Sequence, residues 1–105
     1  MSSKHETLEW VLQQLGPSEH VTWRAMMGEY VLYYDGKVVG GIYDDRLLVK
    51  NTPSSRSLVA ETDLQVPYDG AKPMLSLSDV IFNASPGNSA LVLRVFEAVF
   101  KDLKR

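Results

Sequence analysis

Arg24 is the first residue whose type and setting suggest chemistry. It opens the run Arg24-Ala25-Met26-Met27-Gly28, and a guanidinium can grip a carboxylate or phosphate through two parallel hydrogen bonds. The same side chain serves equally well in an intramolecular ion pair that fixes a strand, and the sequence leaves both readings open. A second candidate is aromatic. Tyr30, Tyr34 and Tyr43 recur close to Lys37, Arg46 and Lys50, a mixture that stacks bases and meets phosphates on sheets that bind single strands. Strands also favour tyrosine for packing alone, and lysine on a sheet face or edge guards against aggregation.

The other reactive side chains point away from catalysis. Asp35, Asp44 and Asp45 fall at turn positions, where carboxylates usually bond local backbone and face solvent. His5 and His20 stand too far apart for the paired histidines of a helical zinc site. Ser54, Ser55 and Ser57 lack a nucleophile elbow, and the glycines match neither a phosphate loop nor a dinucleotide fingerprint. Cysteine is absent, which removes disulfides, thiolate nucleophiles and thiolate metal sites together. The expectation is a non-enzymatic domain without cofactor or metal.

These residues need elements to position them. A chain of 105 residues with 45% hydrophobic and 23% charged content suits one soluble domain spanning 1–105. A net charge of −2 supplies no overall field for nucleic acid. No apolar run is long enough to span a bilayer and the N-terminus lacks a signal-peptide core, so no membrane role is expected and the cytoplasm is the expected location.

Leu8, Val11, Leu12 and Leu15 recur at helical spacing, with Ser2 or Ser3 as a cap and Gly16-Pro17 as a stop. Asp35-Gly36 between YVLYY and KVVGGIY is a two-residue hairpin signal, and Asp44-Asp45 before RLLVK marks another turn. With a strand near Thr22–Met27, a four-stranded antiparallel meander results. A short helix follows from Thr52 or Ser54, then the Pro- and Gly-rich LQVPYDGAKPMLSLSD, read as a strand remnant plus ordered loops. The rigid PYDGAKPM stretch displays Tyr68, Asp69 and Lys72, either for recognition or as a connection docking Tyr68 and Met74. Leu91, Val92, Val95, Phe96, Val99 and Leu103 form the stripe of a C-terminal helix, started by Ser85 before Pro86 or by Asn88-Ser89. The fold class is α+β: an antiparallel β-meander sheet packed against N- and C-terminal helices.

Two tight turns fix a register in which Tyr34 faces Lys37, Leu32 faces Val39, Tyr30 faces Gly41, Ile42 faces Leu47 and Gly40 faces Val49. Alternation then sends Val31, Tyr33, Val38, Gly40, Ile42, Leu47 and Val49 toward the helices. The opposite face collects Tyr30, Leu32, Tyr34, Lys37, Val39, Gly41, Tyr43, Arg46, Leu48 and Lys50.

Arg24-Ala25-Met26-Met27-Gly28, Tyr33-Tyr34-Asp35-Gly36, Tyr43-Asp44-Asp45, Leu48-Val49-Lys50, Pro67-Tyr68 and Lys72-Pro73-Met74 together resemble the N-terminal domain of the TfoX, or Sxy, family over roughly Glu6 to Leu103. The resemblance implies an α+β fold with an antiparallel sheet against helices, and a family named for bacterial regulators of competence genes; it implies no reaction. Met27 stands where the family commonly has Phe, and Glu29-Tyr30-Val31 replaces a more glycine-rich stretch. The expectation is a stand-alone domain without the helical C-terminal domain of full-length regulators.

The functional expectation is therefore binding. The face of Tyr30, Leu32, Tyr34, Lys37, Val39, Tyr43, Arg46, Leu48 and Lys50 is the expected protein interface, including a homodimer. A single-stranded nucleic-acid surface on the same face and a sensor of small anions at Arg24 are the alternatives.

Overall fold

The computed structural model describes residues 3–16, 18–59, 62–78 and 88–103. Helix α1 (His5–Leu15) buries Leu8, Val11 and Leu15, the stripe that the 3.6-residue period places on one side. It ends at Gly16, whose N–H still donates to the carbonyls of Leu12 and Gln13 and whose φ of 77° turns the following chain out of the helix. Its start differs from the sequence expectation. Lys4 occupies the N-cap without a capping side chain, and the Asp45 carboxylate caps from afar, accepting from the Lys4 N–H and the Thr7 hydroxyl at 2.8 Å each. The Ser3 hydroxyl instead donates to Glu29 at 2.7 Å; Ser2 and Pro17 lie outside the described residues.

Strands β1 (Val21–Met26), β2 (Glu29–Tyr34), β3 (Lys37–Tyr43) and β4 (Arg46–Val49) form the expected antiparallel meander. Three two-residue turns join them. Positive φ at both central residues, 53° and 81° at Met27-Gly28, 48° and 83° at Asp35-Gly36, and 53° and 58° at Asp44-Asp45, matches the hairpin turns whose twist suits paired strands. The sheet is larger than the meander. After α2 (Pro53–Leu58), β5 (Leu64–Gln65) and β6 (Met74–Ser76) join it in the order β1-β2-β3-β4-β6-β5. Helix α2 starts in a reciprocal Thr52–Ser55 capping box, and its Ser54 N–H and hydroxyl both donate to Asp102 at 2.8 Å. That carboxylate sits near the end of α3 (Asn88–Leu103), which buries Val92, Val95, Phe96 and Val99 completely. The expected Ser85-Pro86 start of α3 lies outside the described residues. Among the described residues no helix is long and apolar enough to cross a membrane.

One strand pairing departs from the expected register, and it changes what faces where. Tyr34 opposes Lys37 and Tyr33 opposes Val38, but Leu32 opposes Gly40 and Tyr30 opposes Ile42. Val39 is left without a partner on β2, a β-bulge that slips the rest of the pairing by one residue. Because alternation has a period of two, that slip exchanges faces. Leu32, Tyr34 and Val39 join Ile42, Leu47 and Val49 in the core under the helices, with Tyr30 packed against it. Val31, Tyr33 and Val38, expected inside, are on the other face. Beyond the bulge the expected pairs of Ile42 with Leu47 and Gly40 with Val49 hold. The close approach explains the glycines: a Cβ on Gly40 would strike the Leu48 carbonyl oxygen, and one on Gly41 would sit 2.6 Å from the Tyr30 carbonyl oxygen.

Candidate functional site

On the face away from the helices, Val31, Tyr33, Val38 and Tyr43 floor a cleft of about 820 Å³. The segment between β5 and β6 and the first residue of β6 form its other wall through Pro67, Tyr68, Pro73 and Met74. This strap is the PYDGAKPM stretch, and two devices hold it over the sheet. Arg46 on β4 donates through Nη1 to the Gln65 side chain at 2.8 Å and through Nη2 to the Val66 carbonyl at 3.3 Å, while its Nε donates to the Tyr43 carbonyl at 3.2 Å. The Tyr43 and Tyr68 rings meet at 6.2 Å and 56°, within the range of favourable tilted pairs. Burial pushes the Tyr43 phenol above its ordinary pKa, with the nearby Tyr68, Glu29 and Tyr33 acting in the same direction, so it stays a neutral donor at physiological pH.

Charge gives the cleft a polarity. Lys50 and Lys72 line it and none of its lining residues is acidic, although the chain carries a net charge of −2. An apolar floor with cations at its margin suits a ligand that is apolar in part and anionic in part.

The residues singled out from sequence divide sharply in this structure. Tyr43 and Lys50 line the cleft. Leu48 is fully buried opposite Gly41, and Arg46 is committed to the strap. Tyr30, Leu32, Tyr34 and Val39 belong to the helix side, where Tyr34 is 8% exposed and Leu32 and Val39 are 0% exposed. The face drawn through them from sequence is therefore not one surface, and the proposed stacking of Tyr30, Tyr34 and Tyr43 is not assembled. Lys37 is exposed at the end of the second hairpin. Arg24 is exposed opposite Val31, beside the floor of the cleft without lining it, and no ion pair joins it to another described residue. The strap residues Tyr68 and Lys72 were legible as candidates; Val31, Tyr33 and Val38 were missed because the unforeseen bulge turns them outward.

Of the turn carboxylates, Asp45 is structural and only half-exposed, whereas Asp35 is exposed as expected. Glu29 accepts from Ser3 and from the Asp44 N–H, while the Ser3 hydroxyl accepts from the Asp45 N–H at 2.9 Å. The hydrogen bonds from the Lys4 backbone and from Thr7 hold the Asp45 carboxyl below its ordinary pKa. His5 reaches Glu9 at 2.9 Å and lies against Trp23 and Tyr30. His20 contacts Asp35 at 2.6 Å and stacks on Tyr34 at 5.2 Å; the Asp35 hydrogen bond and charge raise its pKa.

Comparison with known proteins agrees with this architecture. The model of the TfoX N-terminal domain matches residues 13–95. An uncharacterized 12.7 kDa protein from the trpE 5' region of Spirochaeta aurantia is 40% identical over 75 residues, covering 71% of this chain and 65% of the relative. The aligned part of this chain thus spans less than two thirds of that relative's length. No solved structure matches the chain. With an antiparallel sheet packed on N- and C-terminal helices and a family match across most of its length, the chain belongs to the TfoX N-terminal domain family.

Proposed function

We propose that this domain is a non-catalytic interaction module of the cytoplasm that binds a partner protein in the cleft between the sheet and the strap. The partner segment is extended or helical, carries aromatic or aliphatic side chains for the floor of Val31, Tyr33, Val38 and Tyr43, and is acidic enough to meet Lys50 and Lys72. The observation that carries this reading is the pairing of an apolar floor with two lysines and no carboxylate among the cleft-lining residues. Burial of the apolar side chains supplies affinity, and the lysines select acidic partners and speed their approach. A regulatory role, including one in competence, would follow from which protein supplies the segment.

Selection from a random peptide display library tests this reading. Wild-type protein is expected to enrich sequences combining acidic residues with aromatic or aliphatic ones, whereas Lys50→Glu with Lys72→Glu is expected to lose that preference and shift toward basic sequences. No enrichment, or the same enrichment by both proteins, contradicts the proposal. Capture from native cytoplasm with and without nuclease separates a protein partner from a nucleic acid.

One observation favours a second reading. A volume of about 820 Å³ lies in the ~300–1,000 Å³ range of small-molecule sites, and an amphipathic carboxylate satisfies the same floor and lysines. A thermal-shift screen of such acids distinguishes it, because a ligand specific to the folded protein raises the melting temperature. A rise abolished by Lys72→Ala supports a metabolite; no rise with any acid removes this reading and leaves the peptide.

A further inference from the structure

The two edges of the sheet are guarded very differently. β5 is two residues long, so it offers little to pair with, whereas β1 runs for six residues, Val21–Met26, of which the last five are exposed. Exposed edges are normally protected by lysine, proline, a bulge or a covering element. β1 has no lysine or proline and a single charge, Arg24; its pairing with β2 shows no register shift, and among the described residues no strand pairs with its free side.

The turn geometry fixes which backbone groups that edge presents. Met26 and Glu29 close the two-residue turn as a hydrogen-bonded pair, so Arg24 and Thr22 also bond inward to β2. The Asp35 N–H donating to the His20 carbonyl at 2.8 Å has the same parity. The N–H and C=O groups of Val21, Trp23 and Ala25 therefore point to the open side.

We infer that this edge pairs with the β1 edge of a second copy, antiparallel and centred on Trp23, to make one continuous sheet across a two-fold dimer. The outward groups are self-complementary about that centre: Trp23 opposes Trp23 of the second copy, and Val21 opposes Ala25 at both ends. All three outward-facing residues of each strand are then hydrogen-bonded. The charges select this register. It places Arg24 opposite Thr22, whereas centring on Arg24 would set two guanidinium groups face to face, which is unfavourable on a sheet. Trp23, 40% exposed, gains an aromatic neighbour on the helix side. The two-fold axis stands perpendicular to the sheet, so both clefts open on the same side, and Met26, which lines the cleft, brings each toward the junction. The dimer is thereby bivalent for whatever the cleft holds. A single strand edge is a small contact beside the ~1,200–2,000 Å² of stable complexes, so association is expected in the micromolar range.

Sedimentation velocity across a concentration series, with Ala25→Pro as the variant, tests the edge. Proline removes an N–H that the β1–β2 ladder does not use, so the variant is expected to stay monomeric where wild type dimerises. A wild type monomeric at all concentrations, or a dimer retained by folded Ala25→Pro, overturns the inference. Because the chain contains no cysteine, a second test is independent of how the proline variant folds. Thr22→Cys mixed with Arg24→Cys is expected to form an intermolecular disulfide on mild oxidation, since the two face each other as a close, non-hydrogen-bonded pair. Each alone is expected to crosslink several-fold less. Absence of the mixed disulfide, or equal crosslinking of the single variants, contradicts the assigned register.

Discussion

The two faces of the sheet are built from similar residue types and put them to opposite use. On the helix side, Leu32, Val39, Ile42 and Val49 are 0% exposed and close with α1 and α3 around Phe96. On the other side, Val31 is 4% exposed and Tyr33, Val38 and Tyr43 are half-buried; among the described residues they face a strap of Pro- and Gly-containing backbone across a cleft that Lys50, Thr52 and Leu103 also line. Helices bring side chains that interdigitate and fill the space; a strap anchored largely through Arg46 and the Tyr43–Tyr68 contact does not. The first face carries the stability of the domain, and the second holds the cleft in which we place the proposed binding site.

The contrast is broken most severely by exchanging the character of equivalent strand positions. Leu32→Asp places a carboxylate in the core without a partner, at a cost of about 5 kcal/mol or more, on the order of a small domain's whole stability. Val38→Asp places it at the solvent-accessible cleft and is expected to remain folded. Circular dichroism melts of the two variants check this; equal damage from both would contradict the division of faces.

A smaller effect comes from the bulge that creates the division. Gly40→Ala forces a methyl against the backbone of β4 and is expected to cost about 1–3 kcal/mol, read from urea denaturation. Tolerance of alanine there would mean that β3 and β4 are further apart at Gly40.

Loosening the strap sharpens the comparison without touching the core. Arg46→Ala removes the hydrogen bonds to Gln65, Val66 and Tyr43 and is expected to cost about 1 kcal/mol, with faster amide exchange in residues 66–73 and little change in α3. Uniformly faster exchange across the domain would show that strap and core unfold as one unit.

The smallest expected change is at the clamp between the β3–β4 turn and α1. Asp45→Ala removes a helix cap, worth about 1 kcal/mol. The Asp45 carboxyl has a folded pKa lowered from 3.8, so its contribution is present above that unfolded value and is lost as pH falls through the lowered folded value. The stability gap between wild type and variant is expected to be full at neutral pH and to close in acid. A gap that persists unchanged in acid would assign the effect to packing.

What could be read from sequence was local. Gly16 as a helix stop, Asp35-Gly36 and Asp44-Asp45 as tight turns, and the stripe of Val92, Val95, Phe96 and Val99 all carry their signal within a few residues, and the α+β architecture follows from them. The bulge at Val39 carries almost none. The following Gly40-Gly41 pair was its only mark, and glycine in a strand signals either a bulge or a close backbone approach. Here it accompanies both, and one inserted residue sufficed to invert β2. The segment expected to hold one strand remnant holds two strands, and β6 lacked a signal of its own because Met74–Ser76 is a three-residue strand after a proline, paired by β4. Asp45 as a helix cap 41 positions from Lys4 was beyond any local rule. The cleft inherited these omissions, so its strap and Tyr43 were legible and the rest of its floor was not.

The division of the sheet into a packed face and an open one rests on the pairing of β2 with β3. Cross-strand nuclear Overhauser effects measure that pairing directly. Contacts of Tyr30 with Ile42 and of Leu32 with Gly40, with Val39 unpaired, are the expected result; contacts of Tyr30 with Gly41 and of Leu32 with Val39 would restore the unbulged register and contradict it.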